Sequence, residues 1–286
     1  MKLINTKTLL ASILAATVFS GCALGAKQIQ ENSMNTEKQK VVELLHSIES
    51  GDPKPVAYIN ANKYIQHNLA VKDGLTGFAE VLQALPKGSA KAKVQRVFKD
   101  GDFVFAHTKY NFFGPKIGFD IFRFEDGKIV EHWDNLQEIV EKTASGRSQI
   151  DGPTEIKDLD KTKENKELVR NFVNDVLFGK NPDKITNYIS TTTYNQHNPH
   201  VKDGLAGLGE AIKSLNNAGM PMIYEKNYMV LGEGNFVLTA SEGKFMNKHV
   251  SFYDLFRVEN GKIVEHWDTI EEIPAQEKWQ NTNGKF

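Results

Sequence analysis

Apolar residues in this chain keep two different periods. Val41, Leu44, Leu45 and Ile48 fall at i, i+3, i+4 and i+7, the spacing that gathers side chains on one face of a helix. Gly51-Asp52-Pro53 ends the pattern, since proline cannot continue a helix. Phe78, Val81, Leu82 and Leu85 make a second helical stripe, closed by Pro86. After it the pattern becomes strand-like: Val94 to Phe98, a turn at Gly101-Asp102, Phe103 to Tyr110, and a hairpin over Asp126-Gly127, a dipeptide suited to a type I′ turn. Helices followed by an antiparallel meander predict an α+β fold, with helices covering one face of a bent sheet.

The whole succession then returns. Val169, Phe172, Val173 and Val176 repeat the first stripe, with Gly179 and Pro182 as its stop; Leu208, Ala211, Ile212 and Leu215 repeat the second, and Asn260-Gly261 repeats the hairpin turn. Asp120 to Asp134 (DIFRFEDGKIVEHWD) reappears as Asp254 to Asp268 with twelve of fifteen positions identical, and Tyr64 to Phe78 (YIQHNLAVKDGLTGF) reappears as Tyr194 to Leu208. This is a tandem duplication whose unit has the length of a domain, well beyond the roughly 20–50 residues of solenoid repeats. The first domain is placed at 38–140 and the second at 166–286. A linker of few apolar residues, 141–165, joins them, with the boundary near Gly152.

The N-terminus is another kind of sequence. Lys2 and Lys7 precede an apolar run from Leu9 to Phe19, followed by Ser20-Gly21-Cys22. The run is too short to span a bilayer, which takes about 20 residues, and reads as an export signal. The single cysteine of the protein follows a small pair, as in the lipobox of bacterial lipoproteins, which makes Cys22 the lipidated residue and 23–37 a polar tether. The other reading is plain signal cleavage after Gly25 or Ala26, giving a soluble periplasmic or secreted protein. The expected location is therefore the bacterial cell envelope, lipid-anchored and facing the periplasm or exterior, with a soluble periplasmic or secreted protein as the alternative; in both cases the mature domains hold no disulfide. A formal net charge of -1 without a basic stripe excludes the electrostatic footprint of a nucleic-acid binder.

Candidate chemistry sits in the repeated blocks. If Asp126-Gly127 is a two-residue turn, opposite residues sum to 253, pairing Ile121 with His132 and Arg123 with Val130. His132, Asp134 and Arg123 then share one sheet face, with Phe122, Phe124, Ile129 and Trp133 on the other. No Ser-based elbow, P-loop or dinucleotide fingerprint is present. No pair among His67, His107, His132 and Asp134 has HxH or HxxxH spacing, so no metal is expected. Trp133 and Trp267 read as core, His46 and His200 as surface.

Tyr-Ile-Gln-His-Asn, Asp-Ile-Phe-Arg and Gly-Lys-Ile-Val-Glu-His-Trp-Asp, in this order in both halves, resemble the SnoaL-like polyketide cyclase group of the nuclear transport factor 2-like superfamily. The resemblance implies two tandem cone-shaped α+β barrels, each with a pocket for a small apolar ligand or substrate, and acid–base chemistry with no metal or organic cofactor. By motif position the acid/base residues are Asp134 and Asp268, with His132 and His266 beside them. His67 and His197 belong at the pocket mouth, and His107, Arg123 and Arg257 complete the catalytic set. Tyr64, Asn68, Tyr194 and Asn198 are the ligand-binding candidates. The pockets are not equivalent, since Leu69 faces Pro199 and His107 faces Ala240 in the repeat alignment. The halves are expected to pair as an intrachain pseudo-dimer. Cys22→Ala should release the protein from membranes or block its maturation, which fractionation reads; unchanged fractionation would end the anchor reading.

Overall fold

The computed structural model describes residues 36–86 and 88–286. The export stretch, Cys22 and nearly all of the expected tether lie outside the described residues. A helix over 36–50, α1, carries the first apolar stripe, and Val41 and Leu44 are fully buried. Then come β1 (Ile65–Gln66), α2 (Gly74–Ala84), β2 (Lys91–Asp100), β3 (Phe103–Asn111), β4 (Pro115–Glu125) and β5 (Lys128–Glu138). The second half runs α3 (Thr162–Phe172), which widens into a π-helical turn at Val173–Leu177, then α4 (Ile185–Tyr188), β6 (Asn195–Gln196), α5 (Gly204–Asn217), β7 (Ile223–Glu233), β8 (Phe236–Phe245), β9 (Lys248–Glu259) and β10 (Lys262–Glu272). No helix among the described residues is long and apolar enough to cross a membrane.

The result is a mixed α+β structure with two five-stranded sheets of matching order, β1-β5-β4-β3-β2 and β6-β10-β9-β8-β7. The short strands β1 and β6 run parallel to β5 and β10; the other pairings are antiparallel. Asp126 and Gly127 have φ of 49° and 72°, and Asn260 and Gly261 have 50° and 70°, so both hairpins turn as their dipeptides predict.

The register departs from the sequence expectation two residue pairs beyond the turn. Phe124 faces Ile129, but a bulge at Val130 then pairs Arg123 with Glu131, Phe122 with His132 and Asp120 with Asp134. An extra residue in one strand reverses the facing of everything after it. His132 and Asp134 therefore leave the face of Arg123 and join Phe122 and Phe124; Trp133 moves the other way. The second half has the same bulge at Val264, pairing Arg257 with Glu265, Phe256 with His266 and Asp254 with Asp268.

Each sheet thus has a helix-covered face and a back. On the first covered face Val104, Ala106, Phe122, Phe124 and Ile129 pack with Val41, Leu44 and Leu45 of α1. Phe172, Val173, Val237 and Phe256 begin the equivalent layer of the second half. The two backs share one buried cluster, with Phe105, Phe119, Ile121 and Trp133 from one sheet and Leu238, Tyr253, Leu255 and Trp267 from the other. Phe119 is fully buried there, edge-on to Phe105. Phe119→Ala should cost about 3–5 kcal/mol in denaturant unfolding and should lower the midpoint of both halves together. Two separated transitions would show that the shared cluster does not couple the sheets.

Candidate active site

Alternation along the bulged strands decides what meets what. Gln66 of β1 lies opposite His132, and its Oε1 accepts the backbone N–H of Asn68 at 2.8 Å and faces His132 Nδ1 at 3.2 Å. The Asn68 donor fixes the amide orientation, so the proton between Gln66 and the imidazole belongs to His132 Nδ1. His132 Nε2 lies 3.3 Å from Asp120 Oδ1, Tyr110 donates its O–H to Asp120 Oδ2 at 2.7 Å, and Asn68 Nδ2 donates to Asp134 Oδ2 at 2.7 Å. The second half repeats the line: His266 Nδ1 to Gln196 Oε1 at 2.8 Å, His266 Nε2 to Asp254 Oδ1 at 3.0 Å, and Asn198 Nδ2 to Asp268 Oδ2 at 2.6 Å. One oxygen in each copy, Oδ1 of Asp134 and Oδ1 of Asp268, is buried without a hydrogen-bond partner. In the first half Asp134 lines a cavity of about 110 Å³ with walls that include Leu44, Ile48, Phe78 and Val81.

The tyrosine of this line comes from different strands in the two halves. Ala92 of β2 faces Tyr110 of β3, whereas Tyr224 of β7 faces Gly243 of β8. Tyr224 still reaches the matching carboxylate, donating to Asp254 at 3.1 Å. Neighbours adjust: Tyr110 lies over Gly118, where an added Cβ would come within 2.3 Å of its ring, while Tyr224 stacks at 4.2 Å on Phe252, which stands two residues before Asp254 as Gly118 stands before Asp120.

Burial dominates the electrostatics. It pushes the Asp120 carboxyl up despite the opposing His132 and Tyr110 bonds, and it raises Asp268, helped by the neighbouring Asp254 charge. For His266 burial works against the charged form, but the bond to Asp254 and the charges of Asp268 and Asp254 outweigh it and raise the imidazole. Burial likewise raises the phenols of Tyr110 and Tyr224, so both stay protonated donors.

Several expected site residues lie elsewhere. His67 follows Gln66 and so points to the back of the sheet, away from the cavity that Asp134 lines. It stacks on Trp133 at 4.7 Å, with Nε2 2.9 Å from Glu131 and Nδ1 2.9 Å from the Gly284 carbonyl. His197 does the same with Trp267, Glu265 and the Ser148 carbonyl. Arg123 donates to Glu131 and Arg257 to Glu265, each at 2.7 Å, also on the backs. For Glu265 burial opposes the charge, and the His197 and Arg257 bonds overcome it, holding the carboxyl below its usual range. His107 lies on the interior back, where Arg96 donates to its Nδ1 at 3.1 Å; burial and the Arg96 charge push it far down, so the ring is neutral. Tyr64 and Tyr194 are buried, their hydroxyls 3.5 Å from Gln66 and Gln196. Sequence reasoning missed Asp120, Asp254, Gln66, Gln196, Tyr110 and Tyr224. Asp120 and Gln66 lie inside the repeated blocks, but their facing follows from the bulge.

Asp120, His132 and Asp134 present ligand atoms within 4.8 Å of one another, as do Asp254, His266 and Asp268. Both imidazole nitrogens of each group are already engaged by Gln and Asp, so an ion there would have to displace one of those contacts.

No protein-family model and no curated protein matches the chain. Solved structures similar to part of it include IdmH, a candidate polyketide cyclase of Streptomyces antibioticus, at 20% identity over 35% of this chain and 91% of that one, TM-score 0.32. An NTF2-like protein of Cytophaga hutchinsonii matches at 15% identity over 35% and 89%, TM-score 0.31. An LEH-like epoxide hydrolase of M. tuberculosis matches at 18% over 36% and 84%, TM-score 0.32.

A raised carboxyl favours the folded state only while protonated, so Asp268 ionisation weakens the fold as pH rises from the unfolded value of 3.8 through the folded one. Asp268→Asn should therefore be more stable than the wild type at pH 7, with the gain shrinking as pH falls toward 3.8. Denaturant midpoints of both proteins across that range test this; a variant less stable at pH 7 would contradict it.

Proposed function

We propose that the chain is an envelope protein anchored through lipid on Cys22, made of two cone-shaped SnoaL-like barrels paired within one chain. Its covered sheet faces carry cofactor-independent acid–base chemistry on a small apolar carbonyl compound. The observation that supports this best is Asp134, whose side chain lines an apolar cavity and whose buried Oδ1 has no hydrogen-bond partner. An orphaned carboxylate oxygen is costly, and a bound molecule bringing an acidic proton relieves that cost. The cavity approaches the roughly 150 Å³ that holds one benzene-sized molecule.

Asp134 takes a proton from carbon beside the carbonyl, and the developing enolate oxygen draws on a donor of the same face, the Tyr110 O–H, which rests on Asp120 before reaction. Return of the proton at another carbon is isomerisation, attack of the enolate on a second carbonyl is cyclisation, and activation of water in its place is hydrolysis. Mounting this line on a rigid sheet keeps it preorganised.

Exchange of the α-protons of cyclohexanone in D₂O, followed by NMR, tests the reading. The wild type should exceed the buffer rate, and Asp134→Asn should lose about 100-fold or more of that excess. Exchange at the buffer rate in the wild type would sink the enzyme reading and leave a non-catalytic module that binds small molecules or a protein partner.

A further inference from the structure

The segments that follow β5 and β10 each cross to the other half. After β5, Ala144 N–H donates to the Pro199 carbonyl at 2.8 Å, Arg147 bonds Asp203, and the Ser148 carbonyl meets His197 Nδ1 at 2.6 Å. After β10, Gln280 N–H donates to the Leu69 carbonyl at 2.8 Å, Asn283 bonds Asp73, and the Gly284 carbonyl meets His67 Nδ1 at 2.9 Å. The contacts match one for one, so the two straps are equivalent and Lys285 stands where the first strap has Gln149. Both residues are buried. Gln149 binds only backbone, accepting the Val140 N–H at 2.8 Å and reaching the Glu138 carbonyl at 3.5 Å. An uncharged side chain therefore suffices to close a strap. Lys285 instead donates to the Asp134 carbonyl at 2.8 Å, pairs with Glu271, and lies 4.0 Å from the orphaned Asp134 Oδ1.

We propose that the C-terminal tail completes the site of the first half, and that Lys285 is a positioning residue whose fixed positive charge makes Asp134 a different base from Asp268. This deepens the acid–base reading and rests on it. Asp134 is otherwise faced by Asn68, by His132 and Asp120 of its own sheet, by Tyr64 and Tyr110, and from the other half by Tyr253 and Glu271. Lys285 brings the ammonium group to that set. At 4 Å in a partly dry site, its charge acts several times more strongly than in bulk water. The division of labour follows: the first half sets a lysine beside the carboxylate that lines its cavity, and the second half repeats the line without that lysine.

Carboxyl-resolved NMR titration of the full chain carrying Lys285→Gln, Lys285→Arg or neither tests this without a substrate. Lys285→Gln should move the Asp134 midpoint up by about one pH unit, Lys285→Arg should return it toward the wild type, and Asp268 should titrate alike in all three. An Asp134 midpoint unchanged in Lys285→Gln, or an equal movement of Asp268, would overturn the assignment. If Lys285→Gln also shifts the amide signals of Asn281 and Asn283, showing a displaced tail, Gln149→Lys decides: it should lower the Asp268 midpoint, and no movement there overturns the proposal. Loss of cyclohexanone exchange alone would remove the acid–base reading and leave the titration result standing; an unchanged midpoint with exchange intact would remove only the role of Lys285.

Discussion

One extra residue in a strand decides which side chains this protein buries beneath its helices. Without the bulge at Val130, the last strand of the first sheet would turn His132 and Asp134 to the back and Trp133 under the helices. With it, the imidazole and carboxylate lie beneath α1 and α2 opposite Phe122 and Asp120, and the tryptophan joins the shared core. Val264 repeats the device. The cost is a broken ladder, and the gain is that two polar residues sit on the face where burial can tune them while a large aromatic fills the interior between the sheets. The line of hydrogen bonds from Gln through His to Asp and Tyr, the raised carboxyls and the cavity all depend on that turn.

The two halves preserve this line by different means. The hydroxyl that donates to Asp120 comes from β3, and the one that donates to Asp254 comes from β7, each with a small residue opposite it and a reshaped neighbour at Gly118 or Phe252. Sequence divergence moved the side chain and kept the contact, which argues that the bond to the carboxylate, rather than the tyrosine position, is what the site requires. The reciprocal straps show the opposite balance. Their backbone contacts are kept while Gln149 and Lys285 differ, so the geometry is shared and the charge is not. The halves are therefore one framework with two settings.

Much of this was legible in the sequence. The period of the apolar stripes located the helices, and the Asp126-Gly127 and Asn260-Gly261 dipeptides located both hairpins, because those signals are local. The repeated His-Trp-Asp blocks pointed to the strand that carries His132 and Asp134 in the buried hydrogen-bond line. The facing of their residues was not legible, since a bulge is fixed by what packs on either side of it, and counting from the turn placed Arg123 with His132. His67 and His107 looked like site histidines by type; alternation sends both to the back of the sheet, where Glu131 and Arg96 occupy them. Asp120 and Gln66 were in plain view but acquire a role only when the register is known. The tail could not be read at all, because Asn281, Asn283 and Lys285 act through contacts about 150 residues or more away along the chain.

The central claim is that the covered sheet faces are dry and hold carboxyls under strong desolvation. Carboxyl-resolved NMR titration of Asp120 and Asp268 tests it most directly, one group from each half. Both should titrate clearly above 3.8, the ordinary value of an aspartate. Two midpoints at or below that value would mean that water reaches the line in both halves, and the account of a buried acid–base site would fail.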